Sequence, residues 1–385
     1  MREIYFDNSA TTKVSEGVAA AVLKSMTEDY GNPSSRHKKG VEAEALLKDA
    51  RVAIAKTLKV QEKEILFTSG GTESNNMALF GAAFANRRAG NHIITTAIEH
   101  AAVYQPLAVL EQAGFRITYL PVDAFGHISL KDLENAICED TILVSIMYVN
   151  NEIGAVEPIE EIGALLKRKK PDVLFHVDAI QAYGKFLIRP KRMKIDMLSV
   201  SGHKIHGPKG VGFLYLREGS KVKPLMYGGG QQRGLRSGTD NVPGAVGLGV
   251  AAQEAYTDFE QKIEHLYQLR EKMLAGLSKL EGVQIHGCTD RENAPHIVSA
   301  GFSGVRSEVL LHALEEEGIY VSSGSACSSN HPGISGALKG IGVTEEFLDS
   351  TIRFSFGHFN TEEEVEASLL VLAQLLPKLR RYRRG

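Results

Sequence analysis

The chain has 385 residues, 43% of them hydrophobic and 23% charged; this is the balance of an ordinary globular protein with a large core, long enough at about 100–200 residues per domain for two or three domains. Its 44 basic and 46 acidic residues leave a net charge of −2, which argues against a disordered chain and against a general nucleic-acid or membrane binder. Three cysteines, Cys138, Cys288 and Cys327, without CxxC spacing exclude a disulfide framework, give no expectation of a metal site and predict a reducing, cytoplasmic setting.

Apolar stretches such as Ile142–Val149 are too short to span a bilayer, and Met1-Arg2-Glu3-Ile4-Tyr5 does not read as a signal peptide. From about residue 64 to 217, short β-branched runs alternate with helical patterns. Strands are predicted at Ile65–Thr68, His92–Thr96, Arg116–Pro121, Thr141–Tyr148, Val173–Val177, Met197–Val200 and Gly212–Leu216. Helices are predicted between most of them, as at Thr72–Ala85 and Ile159–Lys169. The alternation predicts an α/β fold with a mostly parallel sheet covered by helices. Ligands of such sheets sit at the carboxyl ends of the strands.

Near residue 255 the pattern changes. A long amphipathic helix is predicted at about Ala255–Leu280, then strands at Val283–Ile285, His296–Ala300 and Tyr320–Ser322, with a helix at Ser307–Glu317. The last helix opens with Thr361-Glu362-Glu363-Glu364, a capping-box spacing, and carries Val365, Leu369, Leu372 and Leu376 along one face. Residues 16–255 are therefore expected to form a large domain. Residues 256–385 are expected to form a smaller α+β domain, to which residues 1–15 cross.

Ser201-Gly202-His203-Lys204 directly follows an apolar strand. A lysine at a buried strand end is costly unless it is charge-paired, deprotonated or covalently used. An aldehyde cofactor meets that demand; a surface lysine fits the four residues equally well. Asp178 follows Leu174-Phe175-His176-Val177. Its partner is either a cation such as the pyridinium nitrogen of pyridoxal phosphate or the next helix, which it would cap. Gln181, three residues on, would face the same ligand. Gly70-Gly71-Thr72 lies between strand and helix, where backbone N–H groups suit a phosphate, although a plain turn has the same composition. No Lys follows the glycines, so this is not a P-loop. His100, after another strand, either stacks on a flat ring or is structural.

Cys327 lies in Ser322-Ser323-Gly324-Ser325-Ala326-Cys327-Ser328-Ser329-Asn330-His331-Pro332-Gly333. Small, polar, loop-forming neighbours make it a candidate nucleophile rather than a core thiol; an incidental loop thiol is the alternative. Cys138, beside Ala136 and Ile137, reads as a buried structural cysteine, and Cys288 has no telling context. Arg353 in Ile352-Arg353-Phe354-Ser355-Phe356 suits bidentate carboxylate binding or an internal salt bridge. Gly228 to Thr239 is a glycine-rich loop with anion-binding groups or a surface connection.

Together and in this order, these blocks resemble the cysteine desulfurases, pyridoxal-phosphate enzymes of the class V aminotransferase group. The resemblance covers nearly the whole chain. It begins at Tyr5-Phe6-Asp7-Asn8-Ser9-Ala10-Thr11-Thr12 and Tyr30-Gly31-Asn32-Pro33-Ser34-Ser35-Arg36-His37. It continues through Thr68 to Asn76, Asn150-Asn151-Glu152-Ile153-Gly154, His176-Val177-Asp178, Ser201 to Lys204, Gly234 to Thr239 and Ser323 to Cys327. The sequence departs from the family's common pattern at Ser9, Lys13, Gln232 and His358, and in the run after Cys327.

The resemblance implies the type I fold of pyridoxal-phosphate-dependent transferases, a homodimer and L-cysteine as substrate. It also implies an acceptor protein for the sulfur, such as an iron–sulfur scaffold or a thio-modification acceptor. Lys204 would bind the cofactor covalently and shuttle protons. His100 would stack on the ring, Asp178 would pair with the ring nitrogen and Gln181 with the ring hydroxyl. Gly71, Thr72, Ser201 and His203 would hold the phosphate, with Thr239 reaching it from the other subunit. Asn151 and Arg353 would orient the substrate carboxylate. Cys327 would take the sulfur as a persulfide, leaving alanine. A selenocysteine lyase or a related aminotransferase is the neighbouring reading; transamination needs no thiol like Cys327.

Overall fold

The computed structural model describes residues 3–323 and 335–381. The chain opens with β1 (Ile4–Tyr5), followed by α1 (Glu16–Thr27) and α2 (Lys38–Leu58). Ser15 caps α1 by accepting from the Val18 N–H, and α2 stops where Lys59 turns left-handed at φ 54°.

Next come β2 (Ile65–Thr68), α3 (Gly71–Asn86), β3 (His92–Thr96), α4 (Ala101–Gln112) and β4 (Arg116–Leu120). They are followed by α5 (Leu130–Ala136), β5 (Thr141–Met147), α6 (Ile159–Lys169), β6 (Leu174–Asp178), β7 (Met197–Ser201) and β8 (Gly212–Leu216). The strands form one sheet in the order β2-β8-β7-β6-β5-β3-β4. From β7 to β4 the neighbours run parallel; β8 is antiparallel to both β7 and β2. Each residue of β2, β3 and β5–β8 is buried, whereas β4, at an edge, is mostly half-buried. That burial explains the near-continuous apolar runs: helices cover both faces. Alternate side chains feed the two layers. Ile65 and Phe67 belong to the core layer that includes α2 and α6, and Leu66 to the layer that includes α3 and α4. The strands expected from sequence are all present, with ends shifted by a residue, and the expected α/β class is met.

The helix expected at about Ala255–Leu280 is α8 (Phe259–Leu277), and a further helix, α7 (Val242–Tyr256), precedes it. Thr257 is extended and Asp258 left-handed at φ 50°, which breaks the run. The small-residue helix α7 packs between α1 and α2, where a Cβ on Gly249 would stand 2.9 Å from the Ala50 backbone. Such a buried, glycine-rich helix shows no amphipathic stripe to a reader of sequence.

The remaining elements are β9 (Val283–His286), β10 (Ile297–Phe302), α9 (Ser307–Glu316), β11 (Ile319–Tyr320), β12 (Ser322–Ser323), α10 (Gly336–Gly340), α11 (Glu345–Leu348), β13 (Thr351–Ser355) and α12 (Glu362–Arg381). The strand expected at Tyr320–Ser322 is thus two short ones. A second, antiparallel sheet runs β12-β13-β10-β9, and β1 pairs in parallel with β11. Ile4 and Phe6 join Leu269, Phe302, Phe354 and Leu372 in a separate core. At the start of α12 the capping box is closed in both directions: Thr361 N–H donates to Glu364 Oε2 at 3.1 Å, and Glu364 N–H to Thr361 Oγ1 at 3.3 Å.

Candidate active site

Strand ends converge on one cavity of about 280 Å³. Asp178 ends β6 and Ser201 ends β7, with His203 and Lys204 in the turn that follows. Asn151 follows β5, His100 caps α4 after β3, and Gly71 and Thr72 open α3 after β2. Arg353 arrives from β13 of the second sheet. All of these, with Gln181, line the cavity. Ser9 and Ala10 line it too; neither was given a role from sequence, because only the tertiary path of the N-terminal segment brings them there.

The buried Asp178 carboxylate accepts from the Ile180 N–H at 3.0 Å and from Asn75 Nδ2 at 2.8 Å. Burial pushes its carboxyl upward, while these bonds and the charges of His100 and Lys204 pull the other way. Lys204 Nζ donates to the carbonyls of Ala10, at 2.7 Å, and Ser9. His100 Nδ1 accepts from the Ala102 N–H at 3.0 Å, so the proton of its neutral ring sits on Nε2. Burial lowers the His100 pKa, opposed by Asp178 and helped by Lys204 and Arg353. Burial and the neighbouring lysines bring His203 down to about 4. Gln181 Nε2 donates to the Ser9 carbonyl at 2.9 Å, and its Oε1 accepts from His296 Nε2 at 3.2 Å.

Arg353 is buried. Nη1 donates to the Asn151 carbonyl at 2.8 Å and Nη2 to Asp7 Oδ1 at 2.9 Å. Its Nε has no partner among the described residues. At the opposite end, Gly70 adopts φ 150°, ψ −173°, a conformation essentially restricted to glycine. It turns β2 into α3 so that the helix N-terminus faces Ser201; a Cβ on Gly71 would lie 3.6 Å from the Ser201 Cβ. That N-terminus suits an anion.

Some expected residues lie elsewhere. Thr239 is exposed and lines a different hollow, with Asp29 and Tyr30. Arg236 is engaged within the chain, donating to Glu73 through Nε at 2.7 Å and Nη2 at 3.3 Å. Cys327 lies outside the described residues. Its described flanks border the cavity residues: Ser322 pairs in register with Arg353, and Ser335 Oγ donates to Glu152, next to Asn151. Cys138 differs from its sequence reading. It is only half-buried, and its thiol accepts from Arg116 Nη2 at 3.1 Å and contacts Thr141 and His92. Arg116 comes from the edge strand β4, invisible in the local sequence. Among the described residues no three His, Cys, Asp or Glu side chains converge as a metal site would require.

The sequence matches the aminotransferase class-V family over residues 4–367. The chain belongs to this family. It is 46% identical over 379 residues to a protein of Methanosarcina thermophila named cysteine desulfurase IscS, covering 98% of this chain and 93% of that one. Among solved structures, this class-V fold superposes on a NifS-like protein with a TM-score of 0.93 at 40% identity, covering 98% of this chain and all of that one. It superposes on a structure described as SspA in complex with cysteine with a TM-score of 0.81 at 36% identity, covering 93% and 100%. The fold is therefore the type I pyridoxal-phosphate transferase fold expected from sequence.

The class-V chain's cavity fits pyridoxal phosphate, the family's cofactor. An amine for an aldehyde, a buried carboxylate for a ring nitrogen and a helix N-terminus for a phosphate stand around one space. The Arg353 Nε, without a partner among the described residues, leaves one buried donor for a further acceptor.

Proposed function

We propose that this chain is a pyridoxal-phosphate-dependent cysteine desulfurase. It takes the sulfur of L-cysteine as a persulfide on Cys327, leaves L-alanine and passes the sulfur to an acceptor. The observation that carries this reading is the meeting of Lys204, Asp178, His100 and Arg353, from two separate sheets, in one cavity. The identity to relatives named cysteine desulfurase over nearly the whole chain selects that reaction within the family.

When bound, the cofactor supplies an electron sink for the electrons released as the amino acid loses its α-proton. Lys204 Nζ binds the cofactor and moves that proton. Asp178 holds a negative charge against the ring nitrogen, with Asn75 and the Ile180 N–H fixing its oxygens. Gln181 would meet the ring hydroxyl and His100 would stack on the ring, its Nε2 able to exchange a proton. Gly71, Thr72, Ser201 and His203 hold the phosphate. Arg353 and Asn151 orient the substrate carboxylate. The Cys327 thiolate then attacks the substrate sulfur: an S–S bond forms as the carbon–sulfur bond breaks, and the electron pair left on carbon takes up a proton to give alanine.

Thr239 is assigned to the neighbouring cavity of a homodimer, a reading its exposure in this chain supports. Residues 16–255 act as the cofactor-binding unit, and residues 256–385 with 1–15 as the unit bringing Arg353 and Cys327. No helix among the described residues is long and apolar enough to cross a membrane; we assign the protein to the cytoplasm and its sulfur to an iron–sulfur scaffold or thio-modification acceptor.

The test is incubation of the purified protein with L-cysteine, with alanine, sulfide and the mass of the Cys327 peptide read together. L-selenocysteine and L-alanine serve as comparison substrates. Equal alanine and sulfide in the presence of a reductant, with a persulfide on Cys327 in its absence, is the expected result. Turnover of selenocysteine alone would replace this reading with a selenocysteine lyase.

A further inference from the structure

Lys185 lies in the turn after β6, beyond Gln181. Its Nζ donates to the backbone carbonyl of Lys204 at 2.6 Å. That carbonyl ends the short turn Gly202–Lys204, from which the Lys204 side chain enters the active-site cavity. Lys185 also lines a small hollow of about 40 Å³, with His206, Glu254 and His358.

The surroundings are basic. Lys204 and His203 in the β7 turn, His206 just after it, His296 before β10 and His358 after β13 lie within electrostatic reach of Lys185, and Lys262 of α8 acts on His206 and His358. Glu254 on α7 lines the same hollow, its carboxylate accepting from Ser15 Oγ at 2.6 Å. Burial and the Lys204 charge lower the Lys185 pKa to about 7. A neutral amide would satisfy one carbonyl at less desolvation cost. A cation here therefore asks for a reason, and Lys204 is the group that its bond and its charge both reach.

We propose that Lys185 is a positioning residue for Lys204: it ties down the peptide carbonyl behind that side chain and, when protonated, sets a second positive charge there. The inference rests on Lys204 being the residue that binds the cofactor. The tie restricts the direction from which Lys204 Nζ approaches the cofactor. The charge disfavours protonation of the Lys204 nitrogen, as a like charge does.

The test compares wild-type holoenzyme with Lys185→Met, Lys185→Gln and Lys185→Arg. Borohydride reduction and peptide mass place the cofactor, and visible absorbance is titrated against pH. Cofactor uptake by the apoenzyme is timed. Lys185→Met should raise the midpoint of the absorbance change by about one pH unit, the scale of one charge felt through roughly 10 Å of protein. It should also slow uptake several-fold. Lys185→Gln, which keeps a donor but no charge, should show the raised midpoint with less slowing; it decides the question if Lys185→Met does not fold. Lys185→Arg should restore the midpoint. Wild-type midpoint and uptake in both neutral variants, with the cofactor on Lys204, would overturn the inference. A cofactor found on another lysine in the wild type would instead overturn the functional reading beneath it.

Discussion

Asn75 on α3 donates to Asp178 Oδ2 at 2.8 Å, and its own Oδ1 is buried without a partner among the described residues. The amide is thus held with one end unsatisfied in order to orient a carboxylate at the end of β6. Removing a hydrogen bond to a charged group costs about 1.5–3 kcal/mol. Asn75→Ala should therefore retain the fold and bind the cofactor about tenfold to a hundredfold more weakly. A fluorescence titration of the apoenzyme with pyridoxal phosphate measures this; unchanged affinity would remove Asn75 from the site.

Lys204→Ala should abolish turnover and covalent attachment of the cofactor, because among the described residues no other lysine lines the cavity. Asp178, the helix N-terminus of α3 and Ser201 remain, so the variant should still hold pyridoxal phosphate noncovalently. Borohydride reduction followed by peptide mass should mark Lys204 in the wild type and no lysine in the variant. Label on another lysine in the wild type would refute the assignment.

These two residues illustrate what sequence discloses. Lys204 and Asp178 were legible because each directly follows an apolar strand, where an unpaired charge demands a reason. Asn75 was not legible: it is one polar residue inside a helix, and only the packing of α3 on β6 turns it inward. Ser9 and Ala10 carry no local signal, since the carbonyls they offer Lys204 belong to the backbone. Six of the seven strands of the large sheet read clearly because burial on both faces writes continuous apolar runs; the edge strand β4 lacks that burial. The helices α1, α2 and α7 did not read clearly, and the break at Asp258 depends on one left-handed residue. Arg236, within the glycine-rich loop read as anion-binding or a surface connection, is paired with Glu73 in the fold.

Glu99 offers a test by pH. Its buried carboxyl accepts from the Met147 N–H and Thr96 Oγ1, both at 2.9 Å, while Oε2 has no partner among the described residues. Burial raises its pKa to about 8. The folded state therefore binds this proton more tightly than the unfolded chain does. Glu99 lowers stability as pH rises from the ordinary carboxylate range through about 8. Glu99→Gln removes that slope. Between pH 5 and pH 9 the stability of the variant relative to wild type should rise by at least about 1.4 kcal/mol, the value of one pKa unit. Denaturant melts at the two pH values measure it, and a pH-independent difference would show that Glu99 is ionised throughout.

Thr239 stands exposed, away from the cavity of its own chain. If it serves the neighbouring subunit's phosphate, dilution to monomer should loosen the cofactor, and Thr239→Ala should loosen it in the dimer by roughly threefold to tenfold, the worth of one modest hydrogen bond. Sedimentation and absorbance on the same samples provide the check. A monomer that keeps its full complement of cofactor and its activity would end the cross-subunit assignment.

Cys327 gives the decisive variant. The sequence around it supplies no apolar partners, so Cys327→Ser is expected to change stability by no more than about 0.5 kcal/mol. Serine offers a far poorer nucleophile than a thiolate toward sulfur. The cavity residues that hold cofactor and substrate carboxylate are untouched, so the variant should load pyridoxal phosphate normally and show the spectral change of L-cysteine binding. Alanine and sulfide release should fall by at least about a hundredfold, the effect expected when a covalent nucleophile is lost. No persulfide should form on the chain, and transfer to any acceptor protein should vanish. Selenocysteine, with its weaker carbon–selenium bond, separates the neighbouring reading: turnover retained on it alone would mark a lyase that does not need the thiol. The cofactor spectrum, alanine release and peptide mass belong on one preparation, so that a poorly loaded sample is not mistaken for a lost nucleophile. Alanine from L-cysteine at the wild-type rate in Cys327→Ser would show that another group takes the sulfur, and the desulfurase mechanism would have to be rebuilt without Cys327.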